Sequence, residues 1–167
     1  MTFTAGDVLS SARKVILDET SVRWPLDELR VWLNAGLREI VLHKPSAKSE
    51  TVVFALAAGT RQALPPATYV QFLAARRNIT TEGPPRVGGR AIRAVDLDEM
   101  DTQDRDWGNE DIHPQQAVVK HVMFDPKVPL EFYVYPANDG TGKVEIAVAK
   151  LPTMIRSEEH TSELQSL

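Results

Sequence analysis

The spacing of apolar residues changes along this chain, from a helical period near the N-terminus to an alternating period from about residue 48. In the first stretch, four apolar residues recur at helical spacing: Val8, Ala12, Val15 and Ile16. This stripe predicts an amphipathic helix that turns these side chains toward a core. Thr4 and Asp7 stand three residues apart at its start, which predicts a capping box.

A second helix is predicted between Pro25 and Pro45. Six apolar residues form one face at helical spacing: Leu29, Trp32, Leu33, Leu37, Ile40 and Val41. Pro25 suits the first turn, where its missing N–H would have no helical partner. Because only the short polar link "DETSVR" joins this helix to the first, we expect the two to pack as an antiparallel hairpin over about residues 5–44.

Strand signals fill about residues 48–152. "ETVVFAL" predicts a strand, "AAGT" a turn, and "RQALPPATYVQFLAARRNI" two strands that meet at a Pro-marked corner. "TTEGPPRVGG" predicts a loop, because it holds two prolines and three glycines. "RAIRAV" then predicts a short strand, and "DLDEMDTQDRDW" a short helix.

The last three strand signals predict a three-stranded antiparallel meander with one buried face: "VVKHVMF", "LEFYVYP" and "KVEIAVA". Alternation places two sets of apolar residues on that face: Leu130, Phe132 and Val134, then Val144, Ile146 and Val148. The predicted fold class is therefore α+β. A helical hairpin precedes an antiparallel β region within a single domain, residues 1–155.

Composition narrows the classes of function. The net charge of −4 argues against a protein that coats nucleic acid, because neutralising phosphates needs clustered Lys and Arg. The absence of cysteine excludes disulfides, thiolate metal sites and Cys nucleophiles, and it suits a cytoplasmic protein. No apolar run reaches the roughly 18 residues that a membrane span needs, and the N-terminus lacks a signal-peptide pattern.

Acidic and histidine residues are the first candidates for chemistry. The acidic run comprises Asp96, Asp98, Glu99, Asp101, Asp104 and Asp106. It lacks the central Gly of an EF-hand loop, so a solvated acidic face is the favoured interpretation. His113 and His121 are eight residues apart and separated by Pro114, unlike the His-Glu-x-x-His arrangement of a zinc site.

Basic residues and glycines give no stronger signal. Arg76 and Arg77 beside Asn78 could touch a phosphate, although such a pair more often anchors a surface or an interface. "GPPRVGGR" carries no Walker Lys-Ser/Thr. We therefore predict no catalytic, cofactor-binding or metal-binding residue and no cofactor.

An ordered set of segments resembles the head-to-tail adaptor (connector) proteins of tailed phages, particularly short-tailed ones. Arg23-Trp24, Leu33-Asn34-Ala35-Gly36 and Lys44-Pro45 resemble the N-terminal hairpin of these adaptors. "AAGTRQALP", "RRNI", "GRAIRAVDLDEMDTQDRDW", "FDPKVPLEFYVYP" and "VEIAVAKLP" resemble their later segments in the same order. The resemblance covers about residues 6–154.

The resemblance implies a structural virion protein that assembles in the host cytoplasm. It implies a homo-oligomeric ring that matches the twelvefold portal, docks on it, extends the DNA channel and connects the tail. Viral DNA would pass through without sequence-specific binding, and no membrane is implied. Two alternatives stay open: a small metal-dependent hydrolase that uses the 96–106 acidic segment with His113 or His121, and a host-side binding module.

The C-terminal residues 156–167, "RSEEHTSELQSL", look like translated sequencing-library adapter. Eleven consecutive residues agree with one reading frame of that DNA. We therefore expect this tail to be an artefact. We also expect the helices with which such adaptors complete their bundle to be missing, which would leave part of the apolar face of residues 26–41 uncovered.

Overall fold

The computed structural model describes residues 4–155, and the chain divides into two compact units. The helical unit comprises residues 4–48 and 151–155, and the β unit comprises residues 49–150. Helices come first and antiparallel-rich sheets follow, which confirms the predicted α+β class. The predicted adapter-derived tail, residues 156–167, lies outside the described residues.

The helical unit contains helix α1 (Ala5–Val15), helix α2 (Leu26–His43) and a short 3₁₀ helix at Pro45–Lys48. The capping box is confirmed, because the Asp7 N–H donates to Thr4 Oγ1 at 3.2 Å and the Thr4 N–H donates to Asp7 Oδ2 at 2.9 Å. Neither helix, nor any other in the described residues, is both long and apolar enough to cross a membrane.

The buried face of α1 differs from the predicted stripe. Ala5 and Leu9 are buried, whereas Val8 and Ile16 are about two-fifths exposed and Val15 is 82 % exposed. The reason is that α1 and α2 contact each other over only part of their lengths, so the end of the stripe reaches solvent. On α2, Leu29, Leu37 and Val41 are buried as predicted, but Trp32 and Ile40 are more than half exposed.

The β unit contains two four-stranded sheets. The first sheet has the order β1-β8-β3-β4, formed by β1 (Ser49–Ala55), β8 (Lys143–Lys150), β3 (Tyr69–Thr81) and β4 (Val87–Ala91). The second has the order β2-β7-β6-β5, formed by β2 (Ala58–Ala63), β7 (Glu131–Asp139), β6 (His121–Met123) and β5 (Arg93–Ala94). Helix α3 (Leu97–Gln103) connects β5 toward β6.

The predicted three-stranded meander is wrong in its last pairing. Strand β7 pairs with β6 and β2, whereas β8 pairs with β1 and β3 in the other sheet. The apolar faces of β7 and β8 were assigned correctly: Phe132, Val134, Ile146 and Val148 are all at most 1 % exposed and belong to one core cluster. These faces therefore join one core from two different sheets instead of lying side by side in one.

Several turn boundaries also differ from the sequence-based expectation. The predicted turn "AAGT" mostly belongs to β2, and the loop predicted over residues 80–89 shrinks to 82–86 because β3 and β4 extend into it. The short strand predicted at "RAIRAV" is interrupted at Ile92, whose side chain is buried in the core. Pairing with a neighbouring strand lengthens or interrupts these segments, and local composition alone does not predict this effect.

Buried amide side chains replace backbone partners where the strands end. Gln62 accepts from the Ala57 N–H at 2.8 Å and donates to the Ala57 and Gly59 carbonyls. Asn138 accepts from the N–H groups of Gly140 and Gly142. A buried amide with satisfied partners stabilises a loop that has no ladder of its own.

Candidate assembly surface

An apolar groove of about 310 Å³ lies within the helical unit. Apolar side chains from both helices and the loop between them line it, among them Val8, Ala12, Ile16, Trp24, Trp32 and Leu33. Among the described residues, those that line the groove include no charged, hydroxyl or amide side chain. A concave apolar surface of this kind is typical of a site that another apolar surface covers.

Further exposed apolar side chains lie close in sequence to the residues that line the groove. Val15, Leu17 and Val22 are 82 %, 91 % and 84 % exposed, and all three lie at or near the α1–α2 connection. Single exposed apolar residues are ordinary on protein surfaces. Here they stand within two residues of Ile16 or Trp24, which line the groove, and we call the groove and these three residues together the hairpin surface.

Asp18 shapes the connection between the two helices. Its carboxylate accepts three backbone N–H groups, from Val22 at 2.9 Å, Arg23 at 3.0 Å and Trp24 at 2.7 Å. These bonds, with the Trp24 N–H foremost, hold the pKa of Asp18 below its usual value. The loop is therefore held in one conformation that carries Trp24 to the groove.

The end of α1 is a Schellman motif with an unusual residue. The Leu17 N–H donates to the Lys14 carbonyl at 3.2 Å, and the Asp18 N–H donates to the Arg13 carbonyl at 3.0 Å. In this motif the residue after the C-cap Ile16 has a left-handed backbone, and that residue is Leu17, with φ at 57°. Glycine is the usual residue there, because a Cβ atom strains this conformation. A leucine in this position is held in a strained and exposed state.

Trp24 and Trp32 form an aromatic pair in the groove. Their ring centroids lie 5.1 Å apart at an interplanar angle of 54°, within the range of favourable aromatic pairs. Trp32 nevertheless remains 55 % exposed. The pair thus presents a large and rigid apolar contact area. Tryptophan is one of the residue types that contribute most binding energy at protein interfaces.

Asn34 fixes the returning C-terminal segment within the helical unit. Its amide Nδ2 donates to the Ile155 carbonyl at 3.2 Å, and its Oδ1 accepts from the Ile155 N–H at 2.9 Å. The Ile155 side chain is buried with Ala5 and Leu37, and Leu33 packs against them. Residues from both ends of the described chain therefore share one small core.

The acidic segment 96–106 is engaged mainly in local structure. Asp96 caps α3 by accepting from the Asp98 N–H at 3.0 Å. Asp101 accepts from the indole N–H of the buried Trp107 at 2.7 Å. Asp104 accepts from the Asp106 N–H and pairs with His113 at 2.8 Å. These carboxylates therefore hold the helix and the chain after it.

The two histidines named as candidate metal ligands both lie next to Tyr135. The Tyr135 hydroxyl lies 3.3 Å from His113 Nδ1, and the His121 ring stacks on Tyr135 at a centroid distance of 6.0 Å. Only Asp104 of the acidic run joins them, through His113. Over residues 4–155, no three His, Asp or Glu side chains are placed to hold a metal ion, whereas the hydrolase alternative needs three in one pocket.

The Arg76-Arg77-Asn78 stretch separates into different roles. Arg77 lies 3.8 Å from Glu145, which also pairs with Arg86 at 2.9 Å. Asn78 is 5 % exposed and bonds to the backbone of neighbouring segments. Arg76 is exposed. Arg77 and Asn78 therefore have partners within the β unit, and the phosphate contact considered for this stretch stays a prediction.

Comparison with known proteins decides the family. The model of the SU10 adaptor protein family matches residues 3–163, nearly the whole chain. The chain belongs to the SU10 adaptor protein family. Proteins of this family are structural adaptors of phages, which makes this chain a virion component. A search of curated proteins found no match to it.

The residues on which the adaptor resemblance rested have identifiable structural roles. Trp24 lines the groove, and Asn34 binds the backbone of Ile155. Lys44 forms the C-cap of α2, and the 3₁₀ helix begins at Pro45. These positions shape the helical unit of the adaptor and its apolar surface, which is consistent with a structural protein.

Two structural features of this adaptor were not predicted from its sequence. The first is Asp18, for which the only signal in the sequence is an Asp at the start of the polar link "DETSVR", a weak indication of side-chain capping. The second is Leu17, whose left-handed backbone has no sequence signal, because leucine is among the residues least expected there.

Proposed function

We propose that this adaptor forms a ring at the head-to-tail junction of a phage. The ring docks on the twelvefold portal, extends the DNA channel and connects the tail, and it assembles in the host cytoplasm. Family membership over residues 3–163 is the observation that carries the proposal. The role is structural and not catalytic, and it needs no cofactor.

The hairpin surface supports assembly with other copies of the chain. A subunit of a closed ring presents two different surfaces to its two neighbours, and apolar aromatic pockets are typical centres of such contacts. The groove offers the paired Trp24 and Trp32 together with exposed Val8 and Ile16. We assign the groove to the contact with the adjacent copy in the ring.

Mass photometry of the chain with purified portal rings tests this role. The portal protein should come from the same genome as this chain. We expect the portal to gain the mass of a full ring of copies, and Trp32→Glu to abolish the gain by placing a charge in the groove. Val31→Glu is the matched control, because Val31 is an exposed apolar residue of α2 that does not line the groove. Equal mass gains for both variants would exclude the groove, and no gain with the unchanged chain would exclude the adaptor role.

A further inference from the structure

A cluster of cations lies at the edge of the second sheet. Arg93 in β5 and His121 in β6 are register partners in a parallel pair, so their side chains leave the sheet on the same face. The Arg93 N–H also donates to the carbonyl of Lys120 at 3.0 Å. Strand β5 is the last strand in the order β2-β7-β6-β5, so the pair of residues lies at one side of the second sheet.

Asn78 joins the segments that bring two further cations to this edge. Its amide Nδ2 donates to the carbonyls of Arg90 and Val119, both at 2.8 Å, and its Oδ1 accepts from the Val119 N–H at 2.9 Å. Asn78 is only 5 % exposed, so water cannot readily replace these hydrogen bonds. The backbone positions of Arg90 and Lys120 are therefore fixed relative to each other.

The cluster has no acidic partner within the described residues. Most other basic residues of the β unit pair with carboxylates, namely Arg61, Arg77, Arg86, Lys143 and Lys150. Arg90, Arg93 and Lys120 pair with none of the acidic residues in 4–155. Their positive charge is thus uncompensated, in a protein whose net charge is −4.

Two properties of His121 indicate the same lack of a neighbouring anion. Burial lowers the pKa of its imidazole, and the nearby charges of Arg93, Lys120 and Arg90 lower the pKa further. Its Nδ1 atom is buried without a hydrogen-bond partner. A bound anion would offset the repulsion among these four groups and would favour the charged imidazolium.

We propose that Arg90, Arg93, Lys120 and His121 form a binding site for the phosphate groups of duplex DNA. Arginine guanidinium groups bind phosphate oxygens through paired N–H donors, and lysine adds a mobile charge. An acidic protein partner would need a larger apolar area beside the charges, whereas the exposed apolar residues within two positions of the cluster residues are Ala91, Ala94 and Val118. The site goes beyond the proposed adaptor role, because docking on a portal requires no contact with DNA.

Fluorescence anisotropy with a labelled duplex tests the site. At about 50 mM salt we expect the unchanged chain to bind the duplex, with the logarithm of affinity falling by about 2.7 per decade of salt if three phosphates are contacted. The double variant Arg90→Gln/Arg93→Gln should bind at least ten times more weakly and reduce that slope by about 2. Arg105→Gln/Lys127→Gln removes two exposed charges elsewhere in the β unit and should change little.

Two further measurements show whether the variants are folded and whether the bound phosphate belongs to DNA. Circular dichroism should show that both double variants are folded, and portal binding by Arg90→Gln/Arg93→Gln should persist, so this site can fail without the adaptor role failing. In NMR spectra, the His121 imidazole pKa should rise with duplex DNA. A rise with inorganic phosphate but none with duplex DNA would overturn the proposal, as would stronger binding to poly-glutamate than to DNA or equal DNA affinity of the two double variants.

Discussion

The side-chain amide of Asn34 makes two hydrogen bonds with the backbone of Ile155, one donated and one accepted. These residues are 121 positions apart in the chain. The pair replaces the backbone partners that Ile155 would have in a strand, and it places the Ile155 side chain in the core with Ala5 and Leu37. One polar side chain on α2 thus determines where the returning chain is held in the helical unit.

Replacing Asn34 by Ala should destabilise the helical unit. Two partly buried hydrogen bonds are lost, and the Ile155 N–H and carbonyl keep no protein partner, so we expect a loss of about 1–3 kcal/mol in the free energy of unfolding. Urea unfolding followed by tryptophan fluorescence measures it, since two tryptophans lie in the helical unit. Asn34→Asp retains the acceptor oxygen but loses the N–H donor, so it should also destabilise the unit. If both variants changed the free energy of unfolding as little as a surface substitution does, this role of Asn34 would be contradicted.

Replacing Leu17 by Gly should stabilise the chain. Glycine adopts the left-handed backbone at φ 57° without the strain that a Cβ atom causes, and Leu17 is 91 % exposed, so little packing is lost. We expect a gain of about 1 kcal/mol, measured as a rise in the unfolding midpoint. Leu17→Ala retains a Cβ atom and should show no gain. If the hairpin surface contacts a neighbouring copy, Leu17→Gly should also weaken assembly while it stabilises the subunit.

Replacing Gly142 by Ala should destabilise the β unit. A Cβ atom there would lie 2.5 Å from the Ala117 carbonyl and would collide with the buried Asn138 amide, which has four hydrogen bonds of its own. We expect a loss of about 2 kcal/mol or more. Gly36→Ala is the matched control, because a Cβ atom at that helical position meets nothing within 4 Å. It should stabilise the chain by about 0.5–1 kcal/mol, and equal effects at the two glycines would contradict this description.

Stability should fall as the pH is lowered from about 7 to about 5, and His121 should contribute to the fall. Its pKa is lower in the folded state than the ordinary value of 6.5, because burial and then Arg93, Lys120 and Arg90 disfavour the imidazolium. The unfolded chain therefore takes up the proton first as the pH drops below that value, and the stabilisation present at higher pH is lost. Denaturant unfolding at a series of pH values should show a shallower decline for His121→Gln. An unchanged slope would show that His121 titrates alike in both states.

Local periodicity predicted the elements of this fold well. The capping box of Thr4 and Asp7, the span of α2 and the buried faces of β7 and β8 depend on residues close together in the chain, so the sequence pattern contains them. The choice of which strands pair with each other does not depend on nearby residues alone. Whether β8 pairs with β7 or lies between β1 and β3 is decided by contacts distant in sequence, and alternation is the same in both arrangements.

The candidate surface was harder to predict than the fold. Val8, Ala12 and Ile16 were correctly identified as one stripe, but the stripe borders a groove instead of a closed core. An apolar stripe has the same spacing whether its own chain or another chain covers it. The cation cluster was missed for a related reason, since Arg90, Arg93 and Lys120 are brought together by β5–β6 pairing and by Asn78, neither of which a local motif reveals.

The mass gained by portal rings on incubation with this chain tests the adaptor role most directly. Rings of the portal protein from the same genome should gain a discrete mass that corresponds to one complete ring of adaptor copies. Trp32→Glu should prevent that gain, and Val31→Glu should leave most of it intact. Portal rings whose mass stays unchanged in the presence of the folded, unsubstituted chain would contradict the adaptor role.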